Sequence, residues 1–458
     1  MPVLGNLHQI ERDRVHQVVE NWCRLYGDYF RMRLGPRRFL VVADNEAVTA
    51  VLRDRPDGFG RTAKLEEVTR ESGVEAGLFS VNAEAWRRQR RMVMASFDPA
   101  HVKAYFPVLM RVSGRLGDRW QKAARDGLSI DLQADLMRYT VDAIAGLAFG
   151  SDVNTLESDE DIIQHHLDKF FPMLFRRIYA PIAHWRYFRL PADREFDRSI
   201  VVIKAAIEGF IGQARERMTA DPALRQRPRN LLEALLCTVD LPESGLTDRD
   251  VAGNVLTMLL AGEDTTANTL TWMIYLLQRN PTALQRAQEE VRRVIGTATD
   301  FTLEQVSELE YIEACAHETM RLKPVAPFIP LQAHRDCVIG DIRVPAGTLV
   351  WCVMRNETVN DRHLPNAGAF EPLRWIDSKE PAHANSARRL SMPFGAGPRI
   401  CPGRYMALLE MKMAMATLLS RFEVAGVDTP DGAEARERMA FTMTPVGLRM
   451  RLREPALH

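Results

Sequence analysis

From Tyr29 to Ala43 the chain reads YFRMRLGPRRFLVVA: apolar and polar residues alternate, Gly35-Pro36 breaks the run, and an apolar stretch follows. That pattern predicts a β-hairpin. Beyond it a helical period dominates, with helices predicted over 45–54, 83–96, 101–124, 132–148 and 194–219 and with Pro191 and Pro222 as punctuation. A long helix is predicted over 248–278, with Asp248 as its N-cap after the turn-rich LPESGLT; helices over 281–295 and 303–322 follow, the second ending before Pro324. The texture then changes. CVIGDIRVPAGTLVWCVM breaks into short β runs separated by Gly and Pro, and FTMTPVGLRMRLRE near the end predicts a last hairpin. No internal repeat, linker or low-complexity tract interrupts the pattern. It predicts a mostly α body with small β-sheets, organised as a single domain over 1–458.

Composition narrows the function classes. The 458 residues are 46% hydrophobic and 26% charged, an ordinary globular balance. Lys+Arg and Asp+Glu both number 60, which argues against a dedicated nucleic-acid binder. The most apolar internal run, VLTMLLAG at 255–262, stops at Glu263 and Asp264, so it reads as a buried helix segment and not a membrane span. The chain opens on Met1-Pro-Val-Leu-Gly-Asn6 and goes straight into charged residues, without a leader-like apolar segment. Cysteines stand at 23, 237, 315, 337, 352 and 401, with neither zinc-ligand spacing nor a disulfide framework. The first five read as buried small hydrophobes in a reducing compartment, and a cytoplasmic location is expected.

Cys401 is different. It lies in FGAGPRICPGRYMALLE (394–410), between a Gly/Pro-rich loop and a helix predicted to start near Gly403. A thiolate ahead of a helix start is favoured by backbone N–H groups and the helix dipole. Gly395, Gly397 and Gly403 would let the backbone approach a flat, bulky partner, and Arg399 is near enough to meet an anion on it. Phe394, Gly397, Arg399, Cys401, Gly403, Ala407 and Glu410 reproduce F-x-x-G-x-R-x-C-x-G-x-x-x-A-x-x-E, so the segment resembles the haem-binding signature of the cytochrome P450 family. The resemblance covers nearly the whole chain. It implies the family's triangular, prism-shaped fold with a long helix over haem b, and Cys401 thiolate as the axial ligand of the iron.

Further motifs stand in the family's order. Ala261-Gly262-Glu263-Asp264-Thr265-Thr266 resembles the element over the distal haem face. By that resemblance Ala261 makes room for oxygen, Thr265 supports hydrogen bonding around it, and Asp264 relays protons inward; Glu263 is the third catalytic candidate. Glu318 and Arg321 share a helix face at i and i+3. With Phe370-Glu371-Pro372-Leu373-Arg374-Trp375, the resemblance implies a buried charge network joining Glu318, Arg321 and Arg374. Leu373 stands where the family usually carries glutamate, a departure expected to affect local stability. Trp86 and Arg90, one helical turn apart, match the pair that the family uses on a haem propionate. His334 is a further propionate candidate, with Arg335 as the alternative.

The implied activity is that of a monooxygenase. It inserts one atom of O2 into a hydrophobic organic substrate, with electrons from NAD(P)H delivered by an acidic ferredoxin or flavodoxin-type donor and its reductase. Arg87, Arg88 and Arg91, extended by Arg399, Arg404 and Lys412, form the expected docking face. Segments 61–81 and 169–191, Leu256, Leu260, Ala261, Val325, Ala326, Phe328, Ile329 and Phe441 to Met443 are expected to line the pocket. The aromatic- and arginine-rich lid at 169–191 also reads as a clamp for a substrate carboxylate or as a membrane-touching surface. A peroxygenase, an electron-independent isomerase and the haem domain of a self-sufficient fusion are the alternatives. The opening of the chain points either to a soluble, bacterial-type member or to a trimmed chain, and a monomer is expected.

Overall fold

A computed structural model describes residues 5–97, 99–158, 163–180, 182–376 and 386–455. The opening Met1–Leu4 and Pro181 of the lid lie outside them. The helices, in chain order, are α1 (Val15–Tyr26), α2 (Asn45–Arg53), α3 (Ala63–Glu71), α4 (Ala83–Ser96), α5 (Pro99–Arg125), α6 (Leu132–Phe149), α7 (Ile163–Leu167) and α8 (Phe170–Tyr179). They continue with α9 (Pro191–Ala220), α10 (Leu231–Val239), α11 (Asp248–Arg279), α12 (Pro281–Val294), α13 (Leu303–Ser307), α14 (Glu310–Leu322), α15 (Ala387–Leu390) and α16 (Arg404–Arg421).

The predicted hairpin is β1 (Tyr29–Leu34) against β2 (Arg37–Val42), antiparallel, with Phe30 opposite Val41. It belongs to a five-stranded sheet ordered β1-β2-β8-β5-β3, with β3 at Phe59–Gly60, β5 at Phe328–Ala333 and β8 at Leu349–Val353. Within it β2 and β8 run parallel. A three-stranded sheet joins β4 (Ile130–Asp131), β12 (Arg449–Arg453) and β9 (Glu423–Asp428). Two-stranded ribbons pair β6 (Cys337–Ile339) with β7 (Ile342–Val344), and β10 (Glu437–Met439) with β11 (Met443–Pro445).

Three sequence expectations are corrected. The N-cap of α11 is Thr247: its hydroxyl accepts the Asp250 N–H while Asp250 accepts the Thr247 N–H, a capping box that leaves Asp248 in the first turn. The 303–322 segment is two helices, because the buried Glu290 carboxylate accepts the N–H groups of Tyr311 and Ile312 at 2.8 and 3.0 Å and so starts α14 afresh. The final strands do not form one hairpin: β11 pairs with β10, and β12 pairs with β4 and β9.

α11 positions the site. It is buried on most sides from Val251 to Leu277, chiefly against α6. The contact with α6 is close: a Cβ on Gly262 would meet Ile144 at 3.1 Å, and Thr140 donates to the Glu263 carbonyl at 2.9 Å. Ala261 is nevertheless exposed although it lies mid-helix in the core, so α11 borders an internal space there.

Candidate functional site

The loop before α16 holds Cys401 by its backbone. The Cys401 N–H donates to the Phe394 carbonyl at 2.9 Å, and the Ile400 N–H to the Gly397 carbonyl at 3.1 Å. Gly403 caps α16. Burial pushes the Cys401 thiol up from its usual value, while the Gly403 N–H, Arg90 and Arg404 pull it down. The thiol is thus enclosed yet still only half-buried. Gly397 serves a different neighbour from the one expected. Its φ is 69°, and a Cβ there would lie 2.6 Å from Arg53 Cα, so it admits the backbone of α2. At Gly403 a Cβ would meet only Cys401 Sγ, at 3.9 Å.

Beside this loop is a cluster of cations. Arg399 donates to the carbonyls of Leu78 and Val81 at 3.1 and 2.6 Å and to Asn82 Oδ1 at 3.2 Å, and its guanidinium lies 5.1 Å from the Trp86 ring centroid. Arg55 donates to the carbonyls of Leu52 and Ala396. Arg61 donates to the Phe79 carbonyl and covers the Phe79 ring at 4.0 Å. Burial lowers the pKa of Arg55, Arg61, Arg90 and Arg399, with mutual repulsion adding to it at Arg61 and Arg399. Among the described residues none of the four is ion-paired with a carboxylate. His334 borders the cluster, since a Cβ on Gly60 would strike its Nε2 and Asn82 Oδ1, both at 2.5 Å. Arg335 turns away to Asp54 at 2.8 Å. Cations that are buried (Arg55) or half-buried (Arg61, Arg90 and Arg399) and meet no carboxylate fit an anionic ligand. Arg55 and Arg61 were missed from the sequence, where a pair of arginines around a Pro-Asp-Gly turn is too common to signal anything.

On the other side of this space, α11 faces a cavity of about 270 Å³ lined by Ala261, Thr265, Leu260, Ala326, Phe328 and Phe441 among others. Val325 does not line it, and neither does the fully buried Met443. Asp264 and Thr265 do not touch one another, because successive residues on a helix point about 100° apart. Thr265 donates to the Ala261 carbonyl at 2.7 Å. Asp264 accepts from Asn268 Nδ2 at 2.9 Å and from the Thr442 hydroxyl. Glu263 is 2% exposed with Oε1 unpartnered. Half-buried thiol, exposed alanine, apolar wall and unpaired arginines together match what a haem requires.

The cytochrome P450 family model matches residues 1–451. The chain belongs to the cytochrome P450 family. Its helix-rich fold with small sheets is the family's fold, its cofactor class is haem, and its activity is that of a haem-thiolate monooxygenase. Similar proteins include cytochrome P450 97B2, chloroplastic, of Glycine max (27% identical, covering 90% of this chain and 79% of the relative). Carotene epsilon-monooxygenase, chloroplastic, of Arabidopsis thaliana is 28% identical, covering 94% and 80%. The self-sufficient cytochrome P450 monooxygenase CYP505AG1 of Oidiodendron maius is 30% identical over 94% of this chain but only 39% of its own length. These plant and fungal relatives overturn the expectation of a bacterial-type member. The chloroplastic designation of the plant relatives likewise overturns the expectation of a cytoplasmic location.

In this P450, Glu318 gathers the three other motif residues. Arg321 donates to it through Nε at 2.8 Å and Nη2 at 2.7 Å, Arg374 Nε at 2.9 Å and Trp375 Nε1 at 2.8 Å. Leu373 is half-buried against the core. The expected docking face is smaller than its sequence version. Lys412 is buried against Glu313, Arg399 points inward, and Arg87 pairs with Asp57 and Glu84, which leaves Arg88, Arg91 and Arg404 exposed. In the lid, Arg177 pairs with Asp193, Arg186 with Glu67 and Glu71, and Arg189 with Asp197, so these arginines are already spoken for. Among the described residues no helix is long and apolar enough to cross a membrane.

Proposed function

We propose that residues 1–458 act as one haem domain, a monomer, in which the Cys401 thiolate would hold the iron of haem b. Phe394, Gly397 and Gly403 shape the thiolate loop, and Trp86, Arg90, Arg399 and His334, joined by Arg55 and Arg61, would hold the propionates. The observation that carries this reading is the set of buried and half-buried arginines without carboxylate partners beside the one half-buried cysteine whose frame matches the family signature. Activation of O2 is the chemistry that the thiolate-ligated cofactor supplies.

The residues of the chain do the rest. Apolar cavity walls exclude water and bind a hydrophobic organic molecule, and the cavity volume, near the lower end of the usual roughly 300–1,000 Å³, favours terpenoid or drug size. One plant relative is named for carotene monooxygenation, which supports a terpenoid-like class. Ala261 keeps the wall of α11 low, Thr265 offers its hydroxyl oxygen to the cavity, and Asp264 and Glu263 hold protons behind it. An acidic ferredoxin or flavodoxin-type protein delivers electrons from NAD(P)H at Arg88, Arg91 and Arg404.

The test is the carbon monoxide difference spectrum of the reduced holoprotein. A strongly red-shifted Soret band in the wild type, lost in Cys401→Ser, is expected. A wild-type band at the wavelength of imidazole-ligated haem would sink the assignment.

A further inference from the structure

Behind α11 lies a second cavity, of about 310 Å³, whose charge is out of balance. Four carboxylates line it: Asp131 at the start of α6, Asp168 between α7 and α8, and Glu263 and Asp264 of α11. Arg438 of β10 is the one cation among the described residues that line it. Of the cations nearby, Lys169 pairs with Glu195 at 2.8 Å, and Arg449 of β12 answers Asp131 at 3.6 Å. Asp264 accepts from the Asn268 amide and the Thr442 hydroxyl. Glu263 is left over: it is 2% exposed, and no donor among the described residues reaches its Oε1.

The Asp168 and Glu263 carboxyls are in hydrogen-bonding contact, which two groups that otherwise only accept can make only over a shared proton. Burial, with the Asp264 charge adding to it, pushes Asp168 up to about 6, and burial with both neighbouring charges raises Glu263. A carboxyl kept neutral for want of a cation is stabilised by one from outside. Geometry narrows which cation. Among the described residues no three His, Cys, Asp or Glu side chains come together as a metal ion requires, so these carboxylates do not gather at one point. The wall between them is hydrocarbon, from Met137 of α6, Leu167 of α7 and Phe171 of α8. Carboxylates at intervals along an apolar wall suit a flexible aliphatic chain with ammonium groups, each of which brings three donors. The volume holds several waters at about 30 Å³ each, and a short diamine is of that size. Asp168 is exposed, so the cavity is reached from solvent at the α7–α8 turn.

We propose that this cavity binds a small aliphatic diammonium, one ammonium group lying between Asp168 and Glu263 and the other on Asp264, with the carbon chain against Met137, Leu167 and Phe171. The site goes beyond the monooxygenase reading and does not rest on it. Phe171 and Thr442 line both cavities, so the ligand lies against the wall of the substrate cavity without entering it. On binding, the ammonium takes the place of the proton shared by Asp168 and Glu263, which leaves to bulk water. No covalent bond forms and no electron moves. The other charged groups facing that pair are Asp264, Lys169 beside Asp168, Arg438 of β10, and Asp131 with its partner Arg449. Because a proton is released, affinity rises with pH until the pair would give up that proton unaided.

Isothermal titration calorimetry of the holoprotein with 1,4-diaminobutane tests this, near neutral pH in two buffers of different ionisation heat. One saturable site is expected, with about one proton released per diamine and an affinity that rises with pH. Butylamine, which has a single ammonium group, is expected to bind at least roughly tenfold more weakly. Glu263→Gln and Asp168→Asn are each expected to weaken the diamine by roughly tenfold or more. Magnesium ion is expected not to displace it. The absence of saturable heat, or binding without proton release, overturns the proposal. Unchanged affinity in a folded variant also overturns it, because the amine then sits elsewhere. Displacement by magnesium ion at lower concentration than the diamine does so too, as the mark of a metal site. The two variants remove different halves of the pair, and circular dichroism shows which of them is folded, so one that fails leaves the other to decide.

Discussion

Two groups of buried and half-buried arginines differ in what answers them. Arg321 and Arg374 meet the Glu318 carboxylate, and Arg355 meets Glu20 and Glu437 at 2.7 to 2.9 Å. Each cation there has a carboxylate from another part of the chain or from its own helix, and the charge is closed. Arg55, Arg61, Arg90 and Arg399 have carbonyls, a ring face or one another. A buried charge is expensive unless paired. The closed groups therefore read as structure, and the open one as a site whose countercharge comes from outside the chain.

The largest expected effect comes from breaking a closed group. Glu318→Ala leaves Arg321 buried without a carboxylate, leaves Arg374 with Glu371 alone, and removes the partner of Trp375. A loss of about 3–5 kcal/mol is expected from uncompensated buried charge. Denaturant unfolding of the holoprotein checks it, and a loss under 1 kcal/mol would show that the network adds little.

Next comes the pH dependence of the other closed group. His16, Arg355 and Lys323 hold the Glu437 carboxyl well below its usual value of 4.5, against the opposing cost of burial. A carboxyl lowered by folding contributes stability that is complete above about pH 4.5, and it is lost as pH falls toward the depressed folded value. Wild type is thus expected to exceed Glu437→Gln in stability at pH 7, by a margin that narrows on acidification below about pH 4. Unfolding curves from pH 7 down to pH 3 measure this, and a margin that widens with acid would reverse the assignment.

The two kinds of cluster were not equally visible in the sequence. Glu318 and Arg321 are one helical turn apart, and Arg374 lies in a recognisable element, so the closed network could be read ahead of any structure. The long α11, the β1–β2 hairpin and the Cys401 loop were legible for the same reason, since their signals are local in sequence. Arg55 and Arg61 gain meaning only where the loop from α2 to β3 meets the loop holding Arg399, about 340 residues on. Asp264 and Thr442 are 178 positions apart, so the acid appeared to belong with its neighbour Thr265, and helix geometry separates them. Gly397 looked like a cradle for a flat ligand, whereas what approaches it is the α2 backbone. Contacts of that range leave no period and no spacing to read.

The smallest effect on stability, and the sharpest test of the difference, is expected for Arg399→Gln. In a closed group, losing the cation would strand a carboxylate and cost several kcal/mol. Here the loss removes repulsion with Arg55 and Arg90, and glutamine can still donate to the carbonyls of Leu78 and Val81. The haem-free protein should therefore change by no more than about 1 kcal/mol, in either direction. Retention of haem is another matter, because a charge-assisted hydrogen bond to a propionate is worth about 1.5–3 kcal/mol. Transfer of haem to an excess of a haem-scavenging apoprotein should accelerate by roughly tenfold or more. A variant that loses stability without haem yet keeps haem as firmly as wild type would mean that Arg399 is closed by protein after all, and the open cluster would lose its defining member.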